Sequence, residues 1–288
     1  MKFNSPDVER EYNRIQNQYP DLEYISHPLI NVSDTLRAYF ALADYFMDPS
    51  STATETMLLG IRSTDLLYSA IGRQVAAFGN RTKYSNPIDI CSTLFFGLVK
   101  NHSFCDGNKR TALLILLYQL YLYNYLPNAS VKEYEKLVVA TAANQIPEKY
   151  AEYWKKYKKF DDPEIKTIAH FLRKNTKKKD HSYHLTITHR DMRDALEKHN
   201  VKWHIENGKI HYEREIPAKW FRPAEIKKYA VNFGGWTRSL GPSTARDILT
   251  NLGLYAQIPD YQAFINGDEL FYSLIQDFEG PFRRLKDE

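Results

Sequence analysis

A mainly α-helical protein with a smaller α+β part at its C-terminal end is the fold this sequence predicts, on three observations. The run "TALLILLYQLYLY" at 111–123 is apolar nearly all round, which marks a helix buried in the middle of a helical domain. The segments around it carry apolar residues at helical spacing. Beyond about residue 182 the grammar changes, and two alternating runs meet at Asn207-Gly208, a strong hairpin signal. With 288 residues the chain has room for two ordinary domains. We expect an N-terminal extension at 1–28, a helical domain at 29–174, a linker at 175–182 and a C-terminal α+β domain at 183–288.

Taken in order, residues 1–27 read as a short polar helix and an extended lead-in that hang on the domain as an appendage. Leu36, Tyr39, Phe40, Ala43 and Phe46 then mark an amphipathic helix, with Ser33 as its N-cap and Asp48-Pro49-Ser50 as its stop. A second helix starts at the capping residue Ser63 and runs through Leu66, Leu67, Ala70 and Ile71. Between Gln74 and Pro87, the apolar "VAAF", the Gly79-Asn80 turn and "RTKYSNP" suit a short exposed hairpin. Pro87 opens a helix over "IDICSTLFFGLVK", ending near Lys100. Helices are expected near Val131–Asn144 and Glu164–Lys174, while the form of the stretch between them stays open. "KNTKKKDHS", Lys174 to Ser182, has no apolar periodicity and makes the domain boundary. After it come a helix at "THRDMRDALEKHN", the Val201–Glu213 hairpin, and three further helices at "RPAEIKKYAVNF", "GPSTARDILTNLGL" and "DYQAFINGDELFYSLIQDF".

Composition bounds the function. The 43% hydrophobic content excludes global disorder. The two cysteines, Cys91 and Cys105, form no CxxC pair or zinc-ligand spacing, which argues against both a disulfide framework and a structural zinc and fits a reducing cytoplasm. The N-terminus is too polar for a signal peptide, and the densest apolar run is broken by Gln119 and tyrosines, so no membrane association is expected. A net charge of +4, from 39 basic and 35 acidic residues, does not by itself imply nucleic acid.

The chemistry concentrates in "KNHSFCDGNKRTALLILL", Lys100 to Leu117. Gly107 and Asn108 tolerate left-handed backbone angles, so their N–H groups can converge on an anion at the start of the next helix. Lys109 and Arg110 in that first turn oppose the helix dipole at a cost of about 0.3–1 kcal/mol each, and a bound polyphosphate would reverse the sign. Asp106 would repel a bare phosphate unless a hard divalent cation bridges them. His102, four residues before the acid, titrates near neutrality and could take a proton from an attacking hydroxyl. Phe104 would point inward and fix the loop. The same residues would also serve as an ordinary polar turn feeding a buried helix.

The order His102-Ser103-Phe104-Cys105-Asp106-Gly107-Asn108-Lys109-Arg110 resembles the HxFx(D/E)GN(G/K)R signature of the Fic/Doc (Fido) family. "GIRSTDLLYSAI", "AAFG", "GLVKNH" and "RTALLILLYQLYLYNY" around it look similar too, and the resemblance covers about 29–174. It implies a helical bundle with a β-hairpin flap over the site, and Mg²⁺-dependent transfer of part of a nucleotide, most often ATP, to a hydroxyl of a protein substrate. Carried over, His102 would be the general base, Asp106 the magnesium ligand and Phe104 a core anchor. Gly107 and Asn108 would form the phosphate nest with Lys109, and Arg110 would neutralise phosphate charge. Lys109 stands where the AMP-transferring branch has glycine, and Leu113 where it has a second arginine. Lys109 followed by Arg110-Thr111-Ala112 looks like the Doc (death-on-curing) branch, toxins that phosphorylate a translation factor, so phosphoryl transfer is favoured over AMP transfer. Ser103, where proline is usual, should be tolerated.

Many members are held off by an (S/T)xxxE(G/N) helix whose glutamate pairs with the motif arginine. Ser5 to Glu9 and Ser51 to Glu55 match loosely, but Arg10 and Thr56 follow them, and neither is taken as that helix. Inhibition is expected from a partner protein or from the C-terminal domain. That domain resembles a winged-helix arrangement, which makes DNA a possible partner, although its 18 basic and 16 acidic residues from Lys177 onward nearly balance and protein recognition fits better. His184, His189, His204 and His211 are read as ordinary surface histidines, scattered by strand and helix positions. The competing reading is a non-catalytic Fido-fold regulatory module that binds protein or DNA through its C-terminal domain.

Overall fold

Helix α5 (Asn108–Leu122) is the axis around which the first part of the chain is built, and all its residues from Lys109 to Leu120 are buried. The computed structural model describes residues 3–48, 55–79, 81–178, 187–216, 224–254 and 269–286. These fall into two units, 1–179 together with 271–288, and 180–270.

In the first unit α1 (Pro6–Ile15), α2 (Val32–Met47), α3 (Thr64–Gly72) and α4 (Pro87–Asn101) precede the axis. α6 (Val131–Ala142), the short α7 (Ile146–Lys149) and α8 (Ala151–Tyr157), and α9 (Pro163–Asn175) follow it. Helices α2, α4 and α6 pack directly on α5, and α4 also contacts α3 and α9. An apolar helix with no polar face needs such a surround, because every turn must be covered. At its polar break, Gln119, the Nε2 donates to Gln74 Oε1 at 2.7 Å, while the Oε1 is buried without a partner among the described residues. Gln74 in turn caps the backbone of Ile30 and Ile71.

Several expectations need correction. Helix α1 is no appendage, since Val8 and Ile15 are buried and Tyr12 meets Phe40 edge-on at 5.4 Å. Positions 8, 12 and 15 form an apolar stripe narrow enough to be lost among the charges. The N-cap of α2 is Asn31 rather than Ser33: Asn31 and Asp34 form a reciprocal capping box. Ser33 donates its N–H and hydroxyl to Asp21 instead. Ser63 does cap α3 and Asn86-Pro87 does open α4. The expected hairpin is β1 (Ala77–Phe78) paired with β2 (Arg81–Thr82), and Phe78 at its tip is 93% exposed. Part of the presumed linker is a strand, β4 (Thr176–Lys178), held antiparallel to β3 (Tyr125–Pro127).

The largest correction concerns the C-terminus. The sequence places 183–288 in one C-terminal domain, a stretch that includes the observed helices Glu269–Asp277 and Glu279–Arg284. Residues 271–288 belong to the first unit. Phe271 lies 4.6 Å from Tyr118 of α5, and Phe278 lies 5.9 Å from Tyr134 of α6. Phe271, Ile275, Phe282 and Leu285 are all buried. Asp44, fully buried on α2, ties both ends of the chain to the bundle. One carboxylate oxygen accepts the N–H groups of Asn4 and Ser5 at 2.8 and 2.9 Å, and the other accepts the Tyr272 hydroxyl at 2.7 Å.

The second unit is α+β. Its strands β6 (Val201–Glu206), β7 (Lys209–Ile216) and β8 (Glu225–Asn232) form an antiparallel meander in that order. A short pair, β5 (Ile187–Thr188) with β9 (Ser239–Leu240), adds to it. Helices α10 (His189–Lys198) and α11 (Pro242–Asn251) share a core with the meander that includes Met192, Leu196, Ile210, Tyr212, Ile248 and Leu249. Asn207 and Gly208 make the expected two-residue turn, at φ of 50° and 70°. Strand β8 was expected to be a helix. "EIKKYAVN" has a helix-friendly composition, but it pairs residue for residue with β7 from Glu225 to Asn232, and tertiary pairing overrides propensity. Among the described residues, a three-stranded meander with two helices replaces the simple winged helix the sequence resembled. No helix among the described residues is long and apolar enough to cross a membrane.

Candidate active site

The motif loop, residues 102–107, joins α4 to α5 and is held from both sides. His102 ends α4 in the left-handed conformation, φ 48° and ψ 53°, which turns the chain sharply away from the helix axis. Phe104 is buried and stacks on Tyr39 at 4.2 Å with the rings 9° apart. The Asn108 side chain clasps Phe104 from the first turn of α5: its Oδ1 accepts the Phe104 N–H at 2.8 Å and its Nδ2 donates to the Phe104 carbonyl at 2.9 Å. The chain preceding α3 lies along the outside. Ile61 bridges to Phe104, Cys105 N–H donates to the Gly60 carbonyl, and the Ser103 carbonyl accepts from Arg62 and Ser63. The Tyr39 hydroxyl accepts the Gly60 N–H at 3.1 Å and donates to the Leu58 carbonyl at 3.3 Å. Burial raises the Tyr39 phenol far above its usual range, so it remains a proton donor. Ser103 is accommodated, although its Oγ is buried without a partner among the described residues.

Gly107, at φ 75°, turns the loop into α5. The start of α5 has no side-chain cap and no acid in its first turn, so the polarity conflict visible in the sequence is real in the fold. Asp106 is half-buried, and one of its oxygens accepts the Gly107 N–H. Its other oxygen has no protein hydrogen bond among the described residues. A single carboxylate beside backbone N–H groups fits a magnesium ion that keeps water and phosphate oxygens as its remaining ligands.

His102 is about half-buried, and its imidazole titrates below the ordinary value of 6.5. Burial is the main cause, followed by the positive charges of Arg62, Lys100 and Lys109. The neutral, proton-accepting form therefore dominates at neutral pH, as a general base requires.

The two cations of the motif are both buried. Lys109 is 6% exposed and Arg110 1%. The Arg110 Nη2 donates to Glu55 Oε2 at 2.9 Å, and its guanidinium lies 4.7 Å from the centre of the Phe46 ring. Glu55 also faces Arg283 at 3.5 Å and Lys286 at 3.9 Å, both from the C-terminal helix region. Thr56 breaks the (S/T)xxxE(G/N) pattern at Glu55, yet it is this glutamate that meets the motif arginine. Residues 51–54 of the loose match lie outside the described residues. Next along the chain, Met57 is packed so closely on the loop that a Cβ at Gly107 would come within 2.7 Å of its Cε. Sequence reasoning missed Tyr39, Met57, Arg62, Arg283 and Lys286, whose roles depend on contacts between segments distant in the chain.

Residues 32–120 match the model of the Fic/DOC family, whose members generally transfer AMP or a phosphoryl group to protein targets. The match includes Tyr39, Glu55 and every residue of the motif loop. Neither the curated proteins nor the solved structures yield a match. By motif and by this match, residues 32–120 are a Fic/DOC-like segment.

Proposed function

We propose that the first unit is a transferase that moves a phosphoryl or AMP group from ATP to a hydroxyl of a protein substrate, and that the arrangement described here is its restrained form. The observation that carries this reading is His102, a histidine biased toward its neutral form, held by a left-handed helix cap beside a turn that opens an uncapped helix. In this reading His102 accepts the proton of the attacking hydroxyl. Asn108 would present its backbone N–H to phosphate oxygens, joined by the Gly107 N–H once that group leaves Asp106, and the Asn108 side chain holds the loop in shape. Asp106 would hold Mg²⁺, which supplies charge neutralisation on the phosphates when bound. Lys109 and Arg110 supply positive charge at the helix start. Lysine rather than glycine at 109 favours the phosphoryl group, as in the Doc branch, because its side chain fills space next to the nest.

Restraint follows from Glu55. An arginine paired to a buried carboxylate cannot serve a phosphate until that carboxylate moves, and Met57 stands against the Gly107 backbone at the same time. A protein partner that draws the 55–58 segment away would activate the site. A translation component is the substrate class that the Doc-like motif favours.

The test uses the full chain with Mg²⁺ and a cell lysate, with ATP labelled at the α or the γ phosphate in parallel. Transfer from γ label alone identifies phosphoryl transfer, and transfer from α label identifies AMP transfer. Both should vanish in His102→Ala. If neither label is transferred by the wild type or by a Glu55→Ala variant, the non-catalytic module is the better reading.

A further inference from the structure

The hairpin of the second unit places two imidazoles and a carboxylate together, independently of the motif loop. Turning on Asn207-Gly208, strands β6 and β7 bring Glu206 opposite Lys209, Ile205 opposite Ile210 and His204 opposite His211. Side chains alternate across a sheet, so Ile210 and Tyr212 go into the core while His204, Glu206 and His211 share the other face. The His204 and His211 rings stack in parallel, 4.9 Å between centroids and 7° between planes. Glu206 Oε2 lies 3.9 Å from His204 Nε2. One ligand atom from each of the three residues lies within 4.8 Å of the others.

We propose that this face binds one divalent transition-metal ion, zinc being the best fit, through His204, His211 and Glu206. Two imidazoles and one carboxylate are a donor set for zinc, copper or nickel rather than magnesium, which prefers oxygen alone. Bond lengths near 2.0–2.2 Å from a common ion need donors about 3–4 Å apart, so small side-chain rotations close the site without moving the backbone. The neighbouring charges leave it intact. Lys202 is engaged by Glu215 and Lys228 by Glu213, each at 2.7 Å. Lys209 forms no ion pair with Glu206 among the described residues. In the third strand the residue beside His211 is Ala230, whose small side chain leaves the fourth position open to water or to a partner's ligand. A sheet ladder on both sides of β7 fixes the register, so the donors are already assembled before an ion arrives.

The experiment is calorimetric titration of the untagged full chain with ZnCl₂ in excess magnesium, which fills sites that prefer hard oxygen donors. Cobalt substitution, read by its ligand-field absorption, reports nitrogen ligation. One equivalent of zinc should bind, and His204→Ala, His211→Ala and Glu206→Gln should each weaken it by at least about tenfold. All three positions are on the sheet surface, and far-ultraviolet circular dichroism confirms that each variant is folded. Failure of the wild type to bind an equivalent of zinc, or histidine variants that bind as the wild type does, would overturn the proposal. It stands apart from transferase activity, and neither outcome bears on that reading.

Discussion

Replacing Glu55 with alanine should make the protein less stable and more active. The Arg110 guanidinium is 1% exposed and Glu55 10%, and their hydrogen bond is 2.9 Å. Removing one partner of a buried pair leaves the other charge without compensation, which typically costs about 3–5 kcal/mol. Arg283 and Lys286 add to that cost, since both would face Arg110 across the vacated carboxylate site. If the same contact holds the restrained arrangement, an advantage of about 2.7 kcal/mol keeps the open form at roughly 1% of the population. Its loss raises the transfer rate by up to about 100-fold. The assay pairs urea denaturation with initial rates of label transfer from ATP. Glu55→Gln, which keeps the shape but not the charge, should fall between alanine and wild type in both. A folded Glu55→Ala protein whose transfer rate equals or falls below that of the wild type would show that Glu55 only stabilises the bundle.

Three further outcomes follow from the same geometry. The His102 imidazole is depressed below 6.5, so the base is lost only as pH falls past that lowered value, and the acid limb of the rate profile should lie below pH 6.5. Arg62→Met, which removes one of the charges responsible, should move the limb upward; an unmoved limb would assign the profile to another group. Gly107→Ala forces φ 75° on a residue with a Cβ that also meets Met57, so it should cost about 1–2 kcal/mol in a denaturant titration and abolish transfer. Asp44→Ala leaves the N–H groups of Asn4 and Ser5 and the Tyr272 hydroxyl without their acceptor. It should lower unfolding stability by roughly 3 kcal/mol or more, with the chain ends first to lose hydrogen-exchange protection.

What the sequence disclosed was local. The buried axis of α5 followed from its composition, the motif loop from Gly107-Asn108 between two helices, and the β6–β7 hairpin from Asn207-Gly208. What it hid depended on distance along the chain. Glu55 and Arg110 are 55 residues apart, and a pattern with one wrong residue gives no hint that they meet. Strand β8 reads as a helix until β7 is there to pair with it. The histidine pair was closer to hand: a two-residue turn at 207–208 requires 204 to face 211, so the register held a signal that a search for clustered spacing along one strand would not find.

The return of residues 271–286 to the first unit changes what a deletion means. The second unit is an insertion into the first, bounded on both sides by chain that the first unit needs. A stop codon at the apparent domain boundary would remove Phe271, Ile275 and Phe282 from the bundle, free one oxygen of Asp44 and strip Arg283 and Lys286 from Glu55. Any activity gained or lost by such a truncation would be charged to the wrong module. The second unit can be questioned cleanly only by excision, with 180–270 replaced by a short flexible bridge and the last helices kept. Built this way, the gene presents the second unit as an exchangeable cassette, and the first unit as a fold that closes only after residues 271–286 have left the ribosome.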